Sequence, residues 1–169
     1  MSDKKEFKNE FSWSFSRHSA FNTCKRKYYY SYYGSWGGWE KDADELSKKL
    51  YMLNKMTSLP MLAGSIVHDE VERTLKALRY GRNADQKRSK ENVIKNFKTS
   101  WAQSKNKDWE ESPKWKTNLF EHYYDKKPTD EELLGFRDLM LNSIDGFSPQ
   151  IHIDLYRLWP TISGWPLKT

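Results

Sequence analysis

Apolar residues recur at helical spacing through most of the chain. From about Leu62 to Arg79, Ile66, Val67, Val71, Leu75 and Leu78 return every third or fourth position, one face of a helix that "YGRN" terminates. Residues 84–106 repeat the pattern with Val93, Phe97 and Trp101 at every fourth position, on a basic helix expected to pack on the outside. A third clear helix is capped by Thr129 or Asp130 and runs through Leu133, Phe136, Met140, Leu141 and Ile144 to Phe147. Between them "KDWEESPKWKTN" reads as a loop, and "LFEHYYDKKP" as a short helix or turn stopped by Pro128.

The first third of the chain is less regular. "FSWSFSRHS" alternates aromatic residues with serine at Phe11, Trp13 and Phe15, the period of a short extended segment. Ser16 is then the expected N-cap of a helix from Arg17 to about Tyr33, stopped by Gly34. Phe21, Cys24, Tyr28 and Tyr32 share one stripe of that helix, so Cys24 is expected as a small core residue. "GSWGGWE" is a glycine turn pinned by Trp36 and Trp39. A helix from Asp42 to about Met56, with Leu46, Leu50 and Leu53 on one stripe, is expected to end before Pro60.

After Pro149 a brief alternation at Ile151, Ile153 and Leu155 breaks at Pro160 and Pro166, which reads as a short helix and an irregular tail. The organisation expected is a mainly α chain: a polar leader over residues 1–10, a helical domain over 11–148, and a tail over 149–169.

Composition alters this picture in two ways. Aromatic residues make up 15% of the chain and offset an apolar fraction of 37%, so a folded core is expected. The net charge of +6 favours polyanionic partners through counterion release, although a solvated lysine surface would give the same total. The single cysteine, Cys24, excludes an internal disulfide and a multi-cysteine metal site within the chain. The start "MSDKKEFKNE" has no apolar signal region, and no apolar run is long enough to span a bilayer. A soluble protein of the reducing cytoplasm is expected.

The sharpest short motif is "GSIVHDEVER", from Gly64 to Arg73. Helical spacing puts His68 and Glu72 one turn apart, where a carboxylate can orient the ring or share a divalent ion with it. Taken alone, a histidine on such a face is as a rule a packing residue. The helix also lacks the second histidine of an H-E-x-x-H zinc site.

A second stretch changes that weighing. "SFSRHSAFNTCKRKYYYSYY" followed by "LPMLAGSIVHDEVER" resembles the N-terminal half of PD-(D/E)XK nucleases of the RecB-like group. Ser14, Ser16, Phe21, Cys24, Lys27, Tyr28, Tyr29 and Tyr30 fill the pattern of that group's first helix. Gly64, His68 and Glu72 fill its G-x-x-x-H-x-x-x-E motif, and "LFEHYY" is similar to segments of other members.

The resemblance implies divalent-metal-dependent hydrolysis of DNA, with Mg²⁺ or Mn²⁺ as cofactor and His68 among its ligands. It implies an Asp on a following strand and an E-x-K pair completing the site. Carboxylate oxygens and an imidazole suit a hard cation of this kind. Glu72 is expected to support His68 rather than act as a base. Arg17, Lys25, Arg26 and Lys27 are the candidate phosphate contacts. DNA, and a helicase or other repair or defence protein, are the partners implied.

The sequence departs from the family pattern after His68. Asp154 in "IHIDLYR" superficially matches the metal-binding Asp strand, while "GWPLKT" lacks the acid of an E-x-K pair. The expectation is therefore the helical N-terminal part of a PD-(D/E)XK-like α/β nuclease, a fragment cut before the catalytic sheet. The alternative is a non-catalytic basic helical module that binds single-stranded DNA or a protein partner. The cysteines that accompany the equivalent of Cys24 in iron–sulfur members are missing, so no cluster is expected.

Overall fold

The computed structural model describes residues 8–147. Asp154, His152 and the tail from 149 onward lie outside the described residues. Among the described residues every regular element is helical, and the one pairing of extended backbone is an isolated parallel bridge between Thr57 and Leu119. The mainly α expectation holds. The residues fall into two compact units. Among the described residues, one is built from residues 8–56 together with Asp108–Thr117, and the other from Thr57–Lys107 and residues 118–147.

In the first unit, α1 (Phe15–Thr23) and α2 (Lys25–Tyr29) replace the single long helix expected there. The N-cap is Ser14, not Ser16: its hydroxyl accepts from the Arg17 amide at 3.2 Å. Cys24 breaks the helix with extended backbone, φ −162° and ψ 110°. Its Sγ then accepts from the Lys27 amide at 3.4 Å, so the residue expected in a core is an exposed cap for α2. A π-helical turn, Tyr30–Gly34, follows.

The expected stripe survives as a stack rather than as buried core. Tyr28 meets Phe21 edge-on at 5.4 Å and Tyr32 at 5.2 Å, while Phe21 remains 43% exposed.

Helix α3 (Glu45–Asn54) is capped by Asp44, whose carboxylate accepts from the Ser47 amide at 2.9 Å. Its buried residue is Tyr51, and Leu46 points outward. The glycine turn packs against it. Trp36 and Trp39 meet edge-on at 5.0 Å, and Trp39 meets Tyr51 at 5.7 Å. Asn54 ties the turn down by donating to the Ser31 carbonyl and to Ser35 Oγ, at 2.9 and 2.8 Å.

The second unit is a bundle of α4 (Leu59–Arg79), α5 (Gln86–Lys105) and α7 (Asp130–Gly146), with the short α6 (Phe120–Tyr123) between the last two. Helix α3 ends at Asn54, before Pro60 as expected, and Pro60 itself stands in the first turn of α4, which starts three residues earlier than the Leu62 expected. Amides there have no intrahelical partner, so a residue lacking one costs nothing. The core is Leu59, Leu62, Ala63, Ile66, Val93, Leu119, Met140 and Ile144, with Phe97, Trp101, Leu133 and Phe136 packed against it. Thr129 caps α7 in a full capping box with Glu132.

The "LFEHYY" segment acts as a clasp on this bundle. Glu121 Oε1 accepts from the Leu59 amide at 3.0 Å and caps α4, where negative charge meets the positive helix end. One residue on, His122 Nδ1 lies 2.8 Å from Ser104 Oγ on α5, and its ring packs edge-on against Trp101. Burial pushes the His122 pKa below its ordinary value, consistent with a neutral packing residue.

Candidate functional site

Helix α4 sorts the acidic run "HDEVE" onto different faces. Glu70 turns inward and is 3% exposed. Arg73 Nε donates to its Oε2 at 2.8 Å, a second guanidinium nitrogen pairs with Oε1, and Asn92 of α5 approaches at 3.5 Å. Burial is the largest single influence on this carboxyl and raises its pKa. Hydrogen bonds from Arg73, Ser89 and Asn92, with the Arg73 charge, together outweigh burial and leave the pKa below its ordinary value.

A carboxyl held lower in the folded state stabilises fully above its unfolded value, near 4.5, and loses that contribution as pH falls through the folded pKa below it. Glu70→Gln is expected to flatten the stability profile below about pH 4.5. Acid unfolding followed by circular dichroism checks this, and an unchanged acid limb would contradict it.

His68 and Glu72 point the other way, both exposed. They share a face with Met61, Gly64 and Leu75, at spacings of three and four. Met61 is 65% exposed, and a methyl group added at Gly64 would meet nothing within 4 Å. Among the described residues this face of the longest helix is bare. The Glu72 carboxylate lies 2.5 Å from Lys76 Nζ, and that ion pair first, with the His68 charge behind it, draws its pKa down. Glu72 is thus ionised, one turn from the His68 ring, and engaged by Lys76.

The candidate phosphate contacts all belong to the first unit. The Arg17 guanidinium lies over the Tyr32 ring at 4.6 Å and donates to the Ser12 carbonyl at 3.0 Å. Lys25 lies over Phe21 at 5.5 Å, and Arg26 and Lys27 are exposed on α2. Among the described residues no three His, Cys, Asp or Glu side chains gather as a metal site would require.

The family model for the PD-(D/E)XK nuclease superfamily matches residues 12–153. This chain belongs to that superfamily. The match takes in the tyrosine-rich first unit, the His68 helix, the Glu121 clasp and α7. No curated protein and no solved structure matches the chain. Membership suggests a nuclease-like function and a superfamily habit of divalent-metal use. Every regular element in the described part of this PD-(D/E)XK chain is helical, and no helix in it is long and apolar enough to cross a membrane.

His68 and Glu72 supply one ring nitrogen and one carboxylate, whereas Mg²⁺ takes six ligands, mostly oxygens. The described residues therefore do not make a complete divalent-cation site. Sequence reasoning passed over Glu70, whose partners on α5 are set by tertiary packing. It also passed over the loop carrying Trp115, where alternating lysine and tryptophan in "KWK" was the available signal.

Proposed function

We propose that this is a RecB-like member of the superfamily and that it acts on DNA phosphodiester bonds at the His68 face of α4. The observation that carries the reading is the bare face itself: an exposed imidazole and an ionised carboxylate one turn apart, with open space at Gly64. A side chain held in that position serves no packing purpose, and the family motif falls on it. Further acidic donors, with Asp154 the candidate, would come from residues beyond 147 or from another chain. A divalent ion bound there would polarise the phosphate and lower the pKa of a water. Of the described residues, His68 would offer a ring nitrogen, and Glu72, ion-paired with Lys76 one turn on, would support it.

A second reading has its own support. Because no three donors gather among the described residues, a non-catalytic DNA-binding module also fits the superfamily match. Incubating the chain with supercoiled plasmid in Mg²⁺ or Mn²⁺ separates the two. Nicked product that vanishes in EDTA supports hydrolysis. Intact plasmid, with DNA binding retained, decides for the module.

A further inference from the structure

We infer that the first unit carries a single-stranded DNA cleft, separate from the His68 face, built by the glycine turn, α3 and the segment 108–117. The cleft is open, encloses about 1000 Å³ and lies wholly within that unit. Trp39 and Trp115 line it, 45% and 77% exposed. An indole as open as that of Trp115 makes no contribution to a core, yet its loop is tied down. Trp109 anchors the loop at 5% exposure, and the Trp115 and Lys116 amides both donate to the Ser112 carbonyl at 3.0 Å. The chain thus buries one tryptophan in order to present another.

Lysines interleave with these rings. Lys48, Lys49, Lys55 and Lys114 line the cleft against Glu110 and Glu111, four positive charges to two negative. Lys114 lies 4.8 Å from the Trp115 ring and Lys55 lies 5.2 Å from the Tyr51 ring, so charge sits directly beside π-faces. Open rings flanked by ammonium groups suit an unpaired strand, whose bases stack on aromatic faces while its phosphates meet lysines. A duplex keeps its bases stacked on each other and offers the cleft only its backbone. The inference rests on the nuclease reading for its choice of DNA as the polyanion, and on the cleft alone for the single-stranded form.

The test is fluorescence anisotropy in EDTA with a labelled oligothymidylate of about 16 nucleotides, beside a duplex of equal length. Trp115→Ala is expected to weaken single-strand binding roughly 10-fold or more, and Trp115→Phe to restore most of it. Lys49→Ala and Lys114→Ala are each expected to reduce the salt slope by about 0.7. Single-strand affinity unchanged in Trp115→Ala, or absent in wild type, overturns the cleft, as does a duplex that binds equally and weakens equally. Those results leave plasmid cleavage at the His68 face untouched. Conversely, a chain that does not cleave yet needs Trp115 to hold single strands keeps the cleft and loses the hydrolysis reading.

Discussion

His68→Ala is expected to abolish divalent-metal-dependent nicking while leaving the melting temperature where it is. The two halves of this expectation have separate causes. The ring is exposed, and surface substitutions of that kind shift stability by no more than about 0.5 kcal/mol. If it is a ligand of the catalytic ion, its loss removes several kcal/mol of charge stabilisation, a fall of about 100-fold or more in rate. Glu72→Gln is expected to fall only about 10-fold, as suits a group that orients a ligand. Plasmid nicking and thermal melts on the same preparations check both halves. A His68→Ala protein that nicks as wild type does would remove His68 from the site. One that melts far lower would make it a structural residue.

Gly38→Ala should be among the most destabilising substitutions in the first unit. A methyl group at that position would lie 2.2 Å from the Ser47 carbonyl oxygen, 2.6 Å from Tyr51 Cβ and 2.8 Å from the Ser47 carbonyl carbon. Two of these are backbone atoms of α3 and cannot swing aside, so the turn must lift off the helix. Overpacking costs typically 1–3 kcal/mol, and about 3 kcal/mol or more is expected here. The neighbouring Gly37 offers an internal contrast. Its φ of +76° disfavours a side chain, but nothing lies within 4 Å, so Gly37→Ala is expected to cost only about 1–2 kcal/mol. Urea unfolding followed by tryptophan fluorescence reads both, since Trp36 and Trp39 flank the turn. Equal midpoints for wild type and Gly38→Ala would contradict the close approach.

The parts of the fold legible in the sequence were those whose causes are local. Helix α7 was readable because Thr129 and Glu132 form its cap within one turn and because Leu133, Phe136, Met140 and Ile144 keep a single face. Val93, Phe97 and Trp101 were readable on α5 for the same reason. Pro60 marked the end of α3 correctly but hid the start of α4 at Leu59, because a proline signals a break without showing that it can sit in a first turn. The break at Cys24 had no local sign: a helical stripe ran straight through it, and only the structure shows a thiol capping a second helix.

Features made by distant partners were not legible at all. Glu70 and Glu72 look alike in the sequence, yet Asn92 on α5 and the direction of α4 bury one and expose the other. The return of residues 108–117 to the first unit, which creates the Trp115 cleft, leaves no periodicity to read. His68 and Glu72 were readable as a pair because helix geometry alone fixes their spacing.

The most direct test of the His68 face is the proton spectrum of the histidine rings as Mn²⁺ is added below stoichiometry. Paramagnetic broadening reports distance from the ion and needs no turnover. His18 is exposed on α1 and hydrogen-bonded to Asn22, and His122 is half-buried against Trp101, so each serves as an internal reference. The expected result is that the His68 signals broaden first, while those of His18 and His122 stay sharp, and that Glu72→Gln weakens the effect. Signals of His68 that stay sharp while His18 or His122 broadens, or that broaden only in step with them, would contradict a divalent-cation site on this face.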